Sequence, residues 1–155
     1  MTKEMYKQKS LVFENTLRQL IDFDSLSKEQ IGDVLLCVWN TDHHRSLKTG
    51  KYKDATYFIF ENDILGKIGK VGGGTRCMKK RANDYRSKGD PLGRKILESI
   101  KKGNEIIIWC LSMPEKLHEV YGVKIPGIFG PQLEKHLIDK ALKAGMELKW
   151  NKNKG

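Results

Sequence analysis

The chain has 155 residues, of which 39% are hydrophobic and 31% are charged, and its net charge is +10. This length suits one domain with one core, and the composition excludes a wholly disordered protein. No apolar run approaches the roughly 20 residues that a membrane-spanning helix needs, and no secretory apolar region follows the first residues.

Residues 1–54 are predicted to form an N-terminal helical arm and a loop. Apolar residues between Leu11 and Ile21 have a loosely helical spacing. A second helix is predicted after Ser27, which forms a capping box with Gln30. Its apolar positions recur at i, i+3, i+4 and i+7, namely Ile31, Val34, Leu35 and Val38. The polar segment 40–54 is predicted to be loop.

Residues 55–155 are predicted to form an α+β core, in which helices flank a small antiparallel three-stranded sheet. Segments 55–61 and 64–70 surround Asn62-Asp63, which is a hairpin signal. The apolar segment 105–111 predicts a buried third strand. Three helices are predicted, at 75–88, from the Asp90 cap and Pro91 to a stop at Gly103, and from about 131 to 144.

The positive charge is concentrated in one part of the chain. Residues 67–102 hold twelve Lys and Arg against three Asp and Glu, an excess of nine of the ten net charges. A solvated surface is the alternative explanation, and a membrane surface is disfavoured because no amphipathic helix pairs this charge with exposed aromatic residues. The concentration of positive charge beside the turn Gly72-Gly73-Gly74 favours nucleic-acid binding. The predicted DNA contacts are Lys70, Arg76, Lys79, Lys80, Arg86 and Lys88.

The cysteines predict the compartment. Cys37, Cys77 and Cys110 are scattered, odd in number and without a Cys-x-x-Cys spacing. This pattern argues for a reducing cytoplasm and against a disulfide or zinc framework.

Five short motifs occur in a fixed order on the predicted elements. A strand tyrosine comes first, and a Lys-Ile-Gly run follows about ten residues later in the partner strand. A helix then carries an arginine with a tyrosine one turn on, a later helix begins with a glutamate, and the chain nears its end with Trp-Asn. These residues are Tyr57, Lys67-Ile68-Gly69, Arg81, Tyr85, Glu134 and Trp150-Asn151.

This order resembles the GIY-YIG nuclease superfamily, especially its restriction-endonuclease members, over roughly residues 55–151. The first motif lacks its glycine and isoleucine, where this chain has Ala55 and Thr56, and Lys67 stands where the second motif's name has tyrosine. The resemblance implies an endonuclease that uses Mg²⁺ or Mn²⁺ to hydrolyse double-stranded DNA, with sequence preference and a possible homodimer on DNA. It also implies that Glu134 is the metal ligand and adds Asn151 to the predicted DNA contacts.

The chemistry of the remaining residues fits phosphodiester hydrolysis. A tyrosine has an ordinary pKa near 10 and needs a nearby cation to act as a base at neutral pH, so Tyr57 and Lys67 are predicted to act together. Arg81 is predicted to hold the phosphate as a permanently charged fork. Tyr85, one helical turn on, is predicted to hydrogen-bond the phosphate or the attacking water.

Each residue also has a simpler explanation. Tyr57 fits a core position, Lys67 a strand-edge lysine that prevents aggregation, and Glu134 a favourable interaction with its helix dipole. At the level of function, the alternatives are a non-catalytic nucleic-acid-binding module and a low-specificity repair or phage-type nuclease.

The hairpin register offers a structural test. Tyr57 and Lys67 share one face of the sheet if residue 57 pairs with residue 67, which needs a loop with an odd number of residues, such as Glu61-Asn62-Asp63. A two-residue Asn62-Asp63 turn would pair Tyr57 with Ile68 and place Lys67 on the opposite face.

Overall fold

The computed structural model describes residues 3–20, 35–40, 55–71, 78–85, 89–111 and 129–151. These ranges contain four helices and four strands. The helices are α1 (Lys3–Leu20), α2 (Met78–Asp84), α3 (Pro91–Lys101) and α4 (Phe129–Lys143). The strands are β1 (Leu35–Asn40), β2 (Ala55–Glu61), β3 (Ile64–Val71) and β4 (Ile106–Leu111).

The strands form one antiparallel sheet in the order β1-β4-β2-β3. The predicted α+β fold is therefore confirmed, with β2, β3 and β4 as the three predicted strands. β1 joins them by pairing with β4, from Leu35 opposite Leu111 to Asn40 opposite Ile107. Residues that precede the predicted core thus contribute a strand to the same sheet.

The strand β1 corrects the predicted second helix over residues 35–40. Helical spacing of Leu35 and Val38 suggested a continuing helix, but Leu35–Asn40 is a strand. A short apolar run with aromatic and β-branched residues suits either structure, and periodicity alone does not separate them. Pairing along β4 decides the outcome here. The start of the predicted helix, at Ser27 and Gln30, lies outside the described residues.

The hairpin joins β2 to β3 by a two-residue turn and then shifts register. Asn62 and Asp63 have positive φ values of 48° and 68°, as a type I′ turn requires. A bulge then shifts the pairing, so that Ile59 lies opposite Lys67 and Tyr57 opposite Gly69. The predicted pairing of Tyr57 with residue 67 is therefore wrong. Because Lys67 and Gly69 are two residues apart, Lys67 nevertheless shares the sheet face of Tyr57.

Helices cover both faces of the sheet. On one face, the Phe13 ring of α1 stacks on Trp109 at a centroid distance of 5.2 Å and contacts the Phe58 ring at 5.0 Å. On the other face, side chains of α2 and α3 pack on β2, β3 and β4 in one cluster. That cluster includes Tyr57, Ile59, Met78, Ala82, Tyr85, Ile96, Ile108 and Trp150. In the ranges that the structure covers, no helix is both long and apolar enough to cross a bilayer.

The helix α3 begins as the sequence predicts. The Asp90 carboxylate accepts a hydrogen bond from the Gly93 N–H at 2.7 Å, and Pro91 occupies the first turn. The helix ends at Lys101, before Gly103. This cap fixes Asp90 at the boundary between α3 and the surface that carries the candidate site.

The chain segment after α4 returns to the edge of the sheet at β3. The Trp150 N–H donates to the Gly66 carbonyl at 2.9 Å. The Asn151 amide accepts from the Ile68 N–H at 3.0 Å and donates to the Ile68 carbonyl at 2.9 Å. The Asn151 side chain thus supplies the hydrogen bonds that a further strand would make to β3.

Candidate active site

A pocket of about 310 Å³ lies beside β3, where α2, α3, α4 and the 150–151 segment meet. Its charged lining residues come from four separate elements: Lys67 on β3, Arg81 on α2, Asp90 before α3 and Glu134 on α4. Apolar residues complete the wall, among them Leu92, Ile138 and Trp150. Three of the five predicted catalytic residues, namely Lys67, Arg81 and Glu134, therefore line one pocket.

The other two predicted catalytic residues connect to this pocket through Arg81. The Tyr57 and Tyr85 hydroxyl oxygens lie 2.5 Å apart, and the Arg81 Nε–H donates to the Tyr57 oxygen at 3.4 Å. The Arg81 guanidinium carbon also lies 4.7 Å from the centre of the Tyr85 ring, a cation–π geometry. Both tyrosines are almost fully buried. The structure thus brings all five residues together, with the phenols behind the guanidinium.

The Arg81 guanidinium contacts the Tyr57 oxygen, a role that the sequence predicted for Lys67. Sequence reasoning assigned Arg81 to the phosphate alone. Tyr85 directly follows the end of α2, four residues after Arg81. Both side chains reach Tyr57 on β2, so the arginine and both phenols form one hydrogen-bonded group.

Gly69 explains how the Tyr57 ring reaches this position. Gly69 lies directly opposite Tyr57 in the hairpin. A Cβ atom built on Gly69 would overlap the Tyr57 ring, and Cε2 would be only 2.6 Å away. Because glycine lacks that atom, the ring lies flat across β3. The Lys67-Ile68-Gly69 run therefore places a charged residue in the pocket and clears space for the phenol.

The electrostatics of the cluster distinguish its two phenols. Burial raises the pKa of Tyr85 far above its ordinary value, and the interaction with Tyr57 raises it further, while Arg81 acts in the opposite direction. Tyr85 therefore keeps its proton at neutral pH, and either hydroxyl can be the donor in its hydrogen bond with Tyr57. Burial acts to lower the pKa of Arg81, but the hydrogen bond to Tyr57 and nearby charges raise it overall.

Glu134 is a half-buried carboxylate in a positive environment. Burial raises its pKa above the ordinary value, whereas the charges of Lys70 and Lys67 act to lower it. Among the described residues, no group of three or more His, Cys, Asp and Glu side chains is placed to hold a metal ion. The pocket is lined by two carboxylates, Glu134 and Asp90, so an ion bound there would take water and substrate oxygens as further ligands.

The predicted DNA contacts fall into four groups. Lys70 and Lys80 are exposed, on β3 and α2. Lys79 belongs to α2, whereas Arg76, Arg86 and Lys88 lie outside the described residues. Asn151 is only 7% exposed and directs its amide to the Ile68 backbone, so the position of this side chain supports the sheet edge.

Sequence reasoning missed one charged residue of the pocket. Asp90 was recognised only as a helix cap, because its position before Pro91 accounts for it fully. The structure places it in the pocket wall, with its Oδ1 3.9 Å from the Arg81 Nη1. The signal in the sequence was its short separation from Arg81, which precedes it in the same basic segment.

Comparison with known proteins adds no relative: no family model matches the chain, and neither a curated protein nor a solved structure does. The functional interpretation therefore depends on the residues of the site.

Proposed function

We propose that the protein is a Mg²⁺-dependent endonuclease that hydrolyses phosphodiester bonds of double-stranded DNA in this pocket. The observation that carries the proposal is the convergence of a guanidinium, an ammonium and a carboxylate on one pocket, with two phenols attached to the guanidinium. These are the groups that phosphodiester hydrolysis requires: charge stabilisation, a proton acceptor and a metal ligand. The resemblance to GIY-YIG nucleases supports the same activity.

Arg81 would bind the scissile phosphate. Its Nε contacts Tyr57, and its Nη1 lies 3.6 Å from Asp84 and 3.9 Å from Asp90. Arg81 also lines the pocket, so its guanidinium can contact an oxygen of a phosphate bound there. A guanidinium that the protein already holds in place loses little rotational freedom when the substrate binds.

Tyr57 would accept a proton from the attacking water. Negative charge on its oxygen is stabilised by two donors, the Tyr85 hydroxyl at 2.5 Å and the Arg81 Nε–H at 3.4 Å. Tyr85 can supply this hydrogen bond at neutral pH because burial and the neighbouring Tyr57 raise its pKa. Lys67, on the same face of the sheet, would add positive charge where the phosphate develops negative charge.

The donor set fits a hard cation with few protein ligands. Glu134 supplies a carboxylate in the pocket, and Mg²⁺ is often bound by one or two carboxylates together with water and substrate phosphates. When bound, Mg²⁺ supplies charge stabilisation at the phosphoryl and leaving oxygens. Lys67 and Lys70 place positive charge near Glu134, and this charge repels a metal cation. Phosphate groups that neutralise these lysines would therefore strengthen cation binding. Metal affinity should therefore rise when DNA is present.

The proposal includes the biological form of the enzyme. A restriction-type enzyme in the cytoplasm would recognise a specific sequence. One such site cuts one strand, so a double-strand break requires a homodimer on DNA or two successive cleavage events.

The test is a digest of supercoiled plasmid with pure protein and Mg²⁺. We expect cleavage that a chelator abolishes and that Glu134→Gln reduces by at least about 10²-fold, within the range found for removal of one charge-stabilising group. Glu147→Gln is the matched control, because Glu147 is exposed and lies outside the pocket wall; it should cut like the wild type.

The products separate the alternatives. Discrete bands support a sequence-specific enzyme, and a smear identifies a low-specificity nuclease. Duplex binding without nicking, across Mg²⁺ and Mn²⁺, would identify a non-catalytic binding module and overturn the proposal.

A further inference from the structure

We infer that Asp90 is a positioning residue, which orients the Arg81 guanidinium in the pocket and competes with the DNA phosphate for it. This inference rests on the proposed function. It concerns a residue outside the five predicted catalytic positions, and it follows from the two separate contacts of one carboxylate.

The first contact fixes the Asp90 side chain. Its Oδ2 accepts a hydrogen bond from the Gly93 N–H at 2.7 Å, and the Asp90 backbone is extended, with φ −86° and ψ 128°. This is the geometry of a helix N-cap. An aspartate that caps a helix in this way keeps one rotamer. Its second carboxylate oxygen, Oδ1, therefore has a defined direction.

The second contact directs that oxygen to Arg81. Oδ1 lies 3.9 Å from the Arg81 Nη1, and both residues line the pocket. Tyr57 holds Nε, and the Tyr85 ring lies under the guanidinium plane. The guanidinium is thus restrained by groups from three elements: β2, α2 and the start of α3.

Asp84 also approaches Arg81, but it has a different effect. Its Oδ2 lies 3.6 Å from the same Nη1, three residues along the same helix. A carboxylate on α2 moves with Arg81 and does not fix α2 relative to the rest of the pocket. Asp90 belongs to another element, so it fixes Arg81 relative to the opposite wall.

The two effects of Asp90 on DNA have opposite signs. A carboxylate beside the phosphate site repels DNA and partly neutralises the guanidinium at Nη1, which weakens binding of the substrate. The same carboxylate holds the guanidinium in one direction, which favours the reacting geometry. Removing its charge should therefore strengthen binding and slow the reaction.

Asp90→Asn isolates the charge, because asparagine is as good an N-cap as aspartate. We expect the Kd for a duplex oligonucleotide, measured with a chelator, to fall about 3–10-fold, while kcat for plasmid cleavage falls about 10-fold or more. Glu98→Gln removes one negative charge from an exposed position on the same helix. It should change Kd less than about 2-fold, in line with a distant screened charge, and leave kcat unchanged.

A double substitution tests whether the effect passes through Arg81. In an Arg81→Gln background, Asp90→Asn should change Kd no more than Glu98→Gln does. An equal gain in affinity with and without the Arg81 side chain would overturn the inference. The inference would also be overturned if Asp90→Asn lowered the affinity for DNA and kcat together, since that result indicates a purely structural role.

The inference can fail separately from the proposed function. Should the wild-type protein cut no DNA, the proposed activity fails, but the duplex Kd still tests the link between Asp90 and Arg81. Tighter binding by Asp90→Asn that disappears without Arg81 supports the link, and its persistence overturns it. A melting temperature within about 2 °C of wild type, less than about 1 kcal/mol for a chain of this length, shows that the cap is intact.

Discussion

The hydroxyl oxygens of Tyr57 and Tyr85 lie 2.5 Å apart, although the two residues come from different elements 28 positions apart in the chain. Their ring centroids are 6.0 Å apart, in an edge-to-face arrangement. Either hydroxyl can be the donor in this short contact. The Arg81 Nε–H also donates to the Tyr57 oxygen. Negative charge on the Tyr57 oxygen would therefore be stabilised by two neighbours, the Tyr85 hydroxyl and the Arg81 guanidinium.

The first prediction distinguishes the two phenols. Tyr57→Phe should reduce cleavage by about 10²–10⁴-fold, the range for loss of a general base, whereas Tyr85→Phe should reduce it less. Tyr57→Phe should also cost about 1–3 kcal/mol of unfolding free energy, because it leaves the buried Tyr85 hydroxyl without its partner. Plasmid cleavage rates and urea unfolding measure both quantities.

The double variant is the control for this pair. Tyr57→Phe with Tyr85→Phe removes both hydroxyl groups, so no phenol is left unpaired. Its loss of stability should be smaller than the sum of the two single losses. Additive losses would contradict the proposed coupling of the two hydroxyls.

Local sequence signals predicted the elements that position the site. Asn62-Asp63 predicted the hairpin turn, and Asp90-Pro91 predicted the start of α3, because turn and cap chemistry depend on a few neighbouring residues. The order of the motifs also predicted which residues approach one another. Their convergence on one pocket follows from the sheet order, with β2 beside β3.

Long-range pairing was not predictable from the same signals. The strand Leu35–Asn40 depends on β4, about 70 residues later in the chain. The extra residue of the bulge is Gly66, where a Cβ would come within 2.8 Å of the Trp150 ring. Neither β4 nor Trp150 is visible from a local window. The contact of Arg81 with Tyr57 was missed for the same reason, since helix α2 and strand β2 meet only in the folded protein.

The second prediction concerns Gly69. Gly69→Ala should cost about 1–3 kcal/mol of unfolding free energy, the usual effect of overpacking, because the added methyl group overlaps the Tyr57 ring. Displacing that ring should also reduce cleavage by at least about 10²-fold. Gly103→Ala is the comparison: its φ of +88° strains an alanine, but no atom lies within 4 Å of the new Cβ. It should lose stability and keep the wild-type cleavage rate below its melting temperature.

The third prediction tests the edge of the sheet. Asn151→Ala removes both hydrogen bonds to the Ile68 backbone and should cost about 1–3 kcal/mol, the range for leaving buried polar groups unpaired. Asn83 is exposed on α2, so Asn83→Ala should stay within about 0.5 kcal/mol of wild type. Urea unfolding measures both. Equal stabilities of the two variants would show that Asn151 does not hold the edge strand.

The fourth prediction follows from the raised pKa of Glu134. Burial favours the protonated carboxyl in the folded protein more than in the unfolded chain. The ionised group therefore reduces stability above its folded pKa, and this cost disappears as pH falls below the unfolded value of 4.5. Glu134→Gln removes the cost. It should raise the melting temperature at pH 7 by about 1–2 °C, which is small because partial exposure screens the charge.

The pH series decides this last prediction. The advantage of Glu134→Gln over wild type should stay constant above the folded pKa of Glu134 and disappear as the pH falls through that pKa to below 4.5, while its cleavage activity stays low throughout. Glu147→Gln, at an exposed position, should follow the wild-type melting curve at every pH. A glutamine variant at position 134 that is less stable than wild type at pH 7 would mean that the carboxylate holds the pocket together. A carboxylate that is retained for function instead lowers the stability of the folded protein, so its replacement by glutamine raises the melting temperature.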